Sequence, residues 1–200
     1  VCSSDLLSLQ SSWGNVNLNQ SPNAQADSLA ANTAGYFYKL NANYNREQSL
    51  GGQTSWYLQA AAQWANRNLD TSEKLYLGGA YGVRAYPTSE AGGSVGTTLT
   101  TGVKQRLDIA YTLNAFVDWG HILVYKNNLN AAGSAISSLN SQSLQGVGLS
   151  LTWSSAQGHE LVATWSHRVG QNPAANPITG ADSDGTRTLN RLWLSAVLNF

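Results

Sequence analysis

The sequence predicts an all-β chain: an antiparallel transmembrane β-barrel segment of about eight strands. Three observations predict it. Apolar and polar residues alternate with period two over eight separate stretches, which puts successive side chains on opposite faces of a sheet. These stretches are about ten residues or longer, whereas soluble strands are usually about five or six. Trp and Tyr recur near their ends, as in tilted strands that cross hydrocarbon between two aromatic girdles. The connections also alternate between short and long, the pattern of periplasmic turns and extracellular loops.

Taken in order, residues 6–19 carry Leu7, Leu9 and Trp13 on one face. Residues 35–47 set Tyr36, Tyr38, Leu40, Ala42 and Tyr44 against Lys39, Asn41, Asn43 and Asn45. Residues 54–67 present Trp56, Leu58, Ala60, Ala62 and Trp64 opposite Gln59, Gln63 and Arg67. Residues 97–108 alternate Leu99, Val103 and Leu107 with Lys104 and Arg106. Residues 110–126 set Tyr111, Leu113, Ala115, Val117 and Trp119 against Asn114 and Asp118. Residues 143–155 carry Val147, Leu149, Leu151 and Trp153, and residues 159–171 set Leu161, Ala163 and Trp165 against Glu160, Thr164, Ser166 and Arg168. The last stretch, 191–200, reads Leu192, Leu194, Ala196, Leu198, Phe200. Segments 48–53, 109 and 156–158 are short turns; 20–34, 68–96, 127–142 and 172–190 are long loops.

Composition narrows the function. Lys and Arg together number 11, as do Asp and Glu, so there is no basic excess to neutralise phosphates, and no nucleic-acid partner is expected. No apolar run approaches the roughly 18 residues of a membrane-spanning helix. The single cysteine, Cys2, lies in Val-Cys-Ser-Ser-Asp-Leu, which a common sequencing adaptor encodes; residues 1–6 are therefore expected to be a non-native tail. The remaining segment, 7–200, then has no cysteine, which suits passage through an oxidising periplasm. No signal peptide opens the chain, and the segment is expected to be the C-terminal part of a longer protein.

Loop 68–96 exceeds the roughly 12 to 15 residues of a passive connection. Its centre reads Leu77-Gly-Gly-Ala-Tyr-Gly82-Val83-Arg84-Ala85-Tyr86-Pro87, and the strand at 110–126 carries Phe116-Val-Asp118-Trp-Gly120. By alternation Phe116 and Asp118 share the polar face with Asn114. A carboxylate there favours a cation, a guanidinium can bind it bidentately, and Arg84 is the only cation inside the glycine-rich tip. An eight-stranded barrel has room only for its own side chains, so a barrel that takes in this loop must be larger.

These motifs resemble the two-partner-secretion transporters, the haemolysin activation/secretion proteins of ShlB/FhaC/HecB type, over most of residues 7–200. In that family a Leu-Gly-Gly-x-Tyr-x-Val-Arg-Gly/Ala-Tyr/Phe loop folds back into the barrel, and its arginine meets the aspartate of Phe-x-Asp-x-Gly on the inner wall. The resemblance implies that Gly82, Val83, Arg84, Ala85 and Tyr86 form the tip, with Ala85 where many relatives have glycine. Phe116, Asp118 and Gly120 form its receptor. It also implies a sixteen-stranded barrel behind two periplasmic POTRA domains, of which this chain is the C-terminal half, in the bacterial outer membrane. Its expected partners are a secreted exoprotein such as a haemolysin or adhesin, outer-membrane lipid, and the barrel assembly machinery, whose signal the terminal Phe200 resembles.

Enzymatic chemistry is not expected. His121, His159 and His167 have no Cys, Asp or Glu at metal-ligand spacing, no Gly-x-Ser-x-Gly elbow occurs, and the glycine-rich stretches lack the lysine of a phosphate cradle. No metal or cofactor is implied. Lys104 and Arg106 on the lumen face either line the route of a translocating chain or pair with nearby carboxylates. Two other functions compete: an outer-membrane protein assembly insertase, which shares the loop motif, and a small structural eight-stranded barrel, in which strand 6–19 would pair with strand 191–200.

Overall fold

The computed structural model describes residues 3–199; Cys2 and Phe200, singled out above, lie outside the described residues. Its elements are β1 (Ser3–Val16), helix α1 (Ala24–Leu29), β2 (Gly35–Gly51), β3 (Thr54–Ala65), β4 (Leu75–Tyr76), β5 (Gly92–Gly93), β6 (Val95–Arg106), β7 (Tyr111–Leu123), β8 (Ser141–Ser154), β9 (Glu160–Val169) and β10 (Asn190–Val197). Eight strands form one sheet in the order β1-β2-β3-β6-β7-β8-β9-β10, and β4 and β5 form a separate two-stranded ribbon. Every neighbouring pair in the large sheet is antiparallel.

The sheet is inverted relative to a soluble core, with apolar side chains outward and polar ones inward. Leu9, Leu192 and Leu194 are 73%, 78% and 86% exposed. Gln63, Asp118, Ser150, Thr164, Ser166 and Arg168, on the other face, are buried. In water such a surface would carry a penalty of about 25 cal/mol for each Å² of apolar area; lipid removes it. Strands of 12 to 17 residues, such as β2, β3 and β7, exceed the roughly 9 to 11 needed to cross the bilayer at a tilt. Outward-facing Trp13, Tyr38 and Trp64 lie toward the end bearing the long loops, and Tyr38 meets Trp64 edge-on at 6.5 Å. Trp56 and the cross-strand pair Tyr111 and Trp153 lie toward the other end.

All eight expected strands are present, with shifted ends. The 48–53 turn narrows to residues 52–53, because Gly51 and Gly52 take positive φ angles of 106° and 59° and reverse the chain in two residues. Strand β3 stops at Ala65, where Asn66 turns back to bond Tyr38. Ser3 to Leu6, within the expected tail, continue β1 opposite Gln48 to Asn45. Loop 17–34 contains α1, whose Asp27 carboxylate accepts from the Thr33 and Ala34 N–H groups and shapes the return to β2.

The two ends of the sheet, β1 and β10, pair with one neighbour each, and the sheet does not close on itself. The closed eight-stranded barrel, which requires that pairing, is not what these strands form. In hydrocarbon each unpaired backbone group costs on the order of several kcal/mol. The 200-residue chain alone should therefore give no heat-modifiable band on cold SDS gels after refolding into detergent, whereas a chain carrying enough further strands to close the sheet should give one.

Candidate functional site: an inserted loop locked to the inner wall

Between β3 and β6 the chain folds inward over the polar face of the sheet. Its base is tied to the wall by Lys39, whose Nζ lies 2.7 Å from Glu73 Oε2, and by Gln63, whose Nε2 donates to the carbonyls of Glu73 and Ser94. The β4-β5 ribbon then carries the tip. The tip closes on itself through its backbone: Leu77 and Gly78 N–H donate to Glu90 O, Val83 N–H to Leu77 O at 2.7 Å, and Tyr86 N–H to Val83 O. This ring requires glycine at 82, where a Cβ would stand 2.1 Å from the Leu77 carbonyl oxygen.

The wall is laid out by strand register. One row across the sheet reads Thr100, Asp118, Gly146, Arg168; the row beside it reads Gly102, Phe116, Gly148, Ser166, Arg191. Small residues in these rows let the tip approach. A Cβ on Gly120 would lie 2.8 Å from a Leu77 methyl, and one on Gly146 would lie 2.8 Å from the Ala85 Cβ. Ala85, where the resemblance expected glycine, keeps a negative φ and is fully buried. Apolar side chains of the tip, Leu77, Val83, Ala85 and Tyr86, join Ile122 of β7 and Leu144 of β8 in a small core inside the lumen.

Arg84 sits at the centre. Its Nε donates to Asp118 Oδ2 at 2.9 Å, its NH2 to Oδ1 at 2.8 Å, and its own backbone N–H to Oδ2 at 3.1 Å. Thr100 Oγ1 donates to Oδ1 at 2.8 Å. The guanidinium carbon lies 3.2 Å from the centroid of the Phe116 ring. The Asp118 side chain is 1% exposed and that of Arg84 14%, so the pair is largely desolvated. The bidentate geometry and the ring face are what a buried guanidinium needs in place of water.

A second polar network, unforeseen in the sequence, lies beyond the tip. Glu90 is buried and accepts from Asn172 Nδ2 at 2.7 Å and Ser183 N–H at 2.8 Å, both in loop 170–189. Asn172 also reaches Asp182. Asp182 pairs with Arg168 and Arg191, and Arg168 covers the Tyr86 ring at 4.5 Å. Arg191 holds the neighbouring Asp184 carboxyl well below the usual carboxylate range, helped by the Thr186 donors.

Lys104 and Arg106 face the same groove as Asn114 and Tyr81. Lys104 pairs with Glu47 at 2.7 Å, and Arg106 also lines the groove. Among the described residues no cluster of three His, Cys, Asp or Glu could hold a metal ion.

Two outcomes follow from this geometry. Breaking a buried pair by removing one partner costs about 3 to 5 kcal/mol, less where water reaches the charge, so Arg84→Ala and Asp118→Ala should each destabilise the parent barrel by about 3 kcal/mol. Urea titration of heat-modifiability should show the double variant losing clearly less than the sum, with Arg84→Lys a poor substitute because an ammonium cannot bond bidentately. Asp182→Asn leaves Arg168 and Arg191 side by side without their carboxylate. Limited proteolysis of intact barrels should then cut loop 170–189 faster than in the parent.

The chain is similar to several known proteins. The family model described as haemolysin secretion/activation protein ShlB/FhaC/HecB matches residues 6–139. The heme/hemopexin transporter protein HuxB of Haemophilus influenzae (strain 86-028NP) is 28% identical over 169 residues, 82% of this chain and 27% of that protein. HuxB of the Haemophilus influenzae strain Rd is 26% identical over 197 residues, 96% of this chain and 32% of that protein. The structure of CdiB from Escherichia coli has the same fold, with a TM-score of 0.63 at 15% identity over 96% of this chain and 33% of that one. The chain thus spans about a third of the length of the relatives it matches. With the model covering well over half of its residues, this chain belongs to the haemolysin secretion/activation protein family ShlB/FhaC/HecB.

Proposed function

We propose that this chain is the C-terminal half of an outer-membrane pore that passes a partner exoprotein, such as a haemolysin or adhesin, across the membrane by two-partner secretion. The observation that carries the reading is the Arg84–Asp118 lock, which fixes a long loop inside the lumen rather than outside it. A loop so placed narrows and shapes a channel, and it demands a barrel wider than eight strands. In this reading the missing strands pair with the open edges of β1 and β10, and periplasmic POTRA domains present the unfolded exoprotein. The polar groove beside the tip, with Lys104, Arg106, Asn114 and Thr152, lines its path. No nucleotide energises this membrane, so folding of the cargo outside supplies the pull. Membership of the family and the CdiB-like fold support this reading.

The test is in cells. The complete reading frame, recovered from the source DNA, is expressed with its candidate exoprotein, and exoprotein in the medium is compared with that held in the periplasm. Arg84→Ala and Asp118→Ala should lower secretion at least tenfold, while outer-membrane levels of the pore fall less. Secretion and barrel stability both untouched would refute the role of the lock. An insertase would instead leave the exoprotein unaffected and deplete other folded barrels.

A further inference from the structure

We propose that Ser166 and Trp193 are positioning residues for the inserted tip: they clamp the Arg84 carbonyl from the last two strands while Asp118 holds its side chain and backbone N–H from the opposite side. The Arg84 carbonyl oxygen accepts from Ser166 Oγ at 2.6 Å and from Trp193 Nε1 at 2.8 Å. Both of its lone pairs are thereby used, and by side chains of two adjacent strands, β9 and β10.

Trp193 is out of pattern for its sheet. The chain has seven tryptophans. Strand register puts Trp13, Trp56, Trp64, Trp119, Trp153 and Trp165 on the outward face with the leucines, and Trp193 alone on the lumen face, between outward Leu192 and Leu194. A large ring with a single N–H donor is an odd occupant of a Ser- and Thr-lined wall. The bond to Arg84 gives that donor its partner. Ser166 is fully buried and makes its short bond to the same oxygen, while Trp193 is half-buried.

The two holds act on different parts of one residue. Asp118 and Phe116 fix the guanidinium, and one Asp118 oxygen also takes the Arg84 N–H at 3.1 Å, yet the Arg84 carbonyl lies outside that grip, and the ring of residues 77–86 could pivot about the N–H contact. Ser166 and Trp193 remove that freedom. Because β10 is an open edge of this sheet, the clamp also ties the tip to the strand at which the sheet must be extended, so inward placement of the tip depends on where β10 lies. The consequence for secretion rests on the function proposed above; the clamp itself does not.

The experiment uses the complete protein in detergent, with any other cysteine replaced by serine and a nitroxide label on Tyr81→Cys, a fully exposed tip position. Trp193→Phe keeps the ring and removes the donor; Ser166→Ala removes the other. Loss of one such bond shifts a release equilibrium roughly fivefold, so the mobile component of the label spectrum should rise about that much in either variant and further in the double variant. Ser166→Thr, which keeps the hydroxyl, should restore the parent spectrum. Spectra of Trp193→Phe, Ser166→Ala and the double variant identical to the parent, while Arg84→Ala mobilises the label, would overturn the clamp. Should Trp193→Phe give no folded barrel, Ser166→Ala and Ser166→Thr decide the matter by themselves. A mobile tip with secretion unchanged would uphold the clamp and count against the secretory reading instead.

Discussion

Moving a guanidinium out of water into a protein interior is tolerable only where a carboxylate, further donors and a polarisable face replace its hydration. Arg84 obtains all three from one patch of wall: Asp118 for the charge, Thr100 to saturate the carboxylate, and Phe116 beneath the guanidinium plane. Much of the local architecture can be read as meeting that requirement. The tip must approach within contact distance, so Gly120 and Gly146 carry no side chain and Ala85 carries one of minimal size. The approach must be held without water between, so Leu77, Val83 and Tyr86 close an apolar collar with Ile122 and Leu144. An isolated ion pair facing an open channel would be screened and weak. Within this collar it is neither.

The sheet makes the patch possible because of its inversion. A strand pair in lipid can bury polar side chains on only one face, and those side chains then accumulate in register across neighbouring strands. The row Thr100, Asp118, Gly146, Arg168 brings residues far apart in sequence to one level of the lumen. Arg168 uses that level differently from Asp118. It turns to Asp182 in the outer loop and stacks on Tyr86, so tip and outer loop share one cation. The inserted loop is consequently fastened at its base by Lys39, at its tip by Asp118, and on its return limb by Glu90.

The sequence made the strands and the tip-to-wall pairing legible for different reasons. Strands declare themselves because lipid forces a period of two, and charges such as Lys104 and Arg168 keep to the lumen face; Asp5 and Arg46, paired near the short-turn end of β1 and β2, depart from it. Arg84 and Asp118 were matched because each is a lone charge in surroundings that otherwise lack one, and because both lie in family motifs. The outer network gave no such cue. Asn172, Asp182 and Ser183 sit in a polar loop where any Asn or Asp looks solvated, and Glu90, the partner of Asn172 and Ser183, is more than 80 residues away. The apolar collar had a weak signal, since Ile122 and Leu144 break the polar face at inward parity. Turn widths were misjudged where a positive-φ glycine reverses the chain faster than composition suggests, as at Gly51 and Gly52.

The same geometry explains why tip and sheet edge cannot be treated as separate parts. Arg84 is bonded through its side chain to β7 and through its carbonyl to β9 and β10, so one residue bridges strands on both sides of β8. Any motion that widens the sheet between β7 and β9 stretches these bonds in opposite directions. Any motion that draws the tip out of the lumen must break a charged, bidentate contact and a doubly bonded carbonyl together. Because neither set can be lost without exposing the other to water, the tip has one well-defined seat. Its release requires the side-chain and main-chain contacts to β7, β9 and β10 to break together.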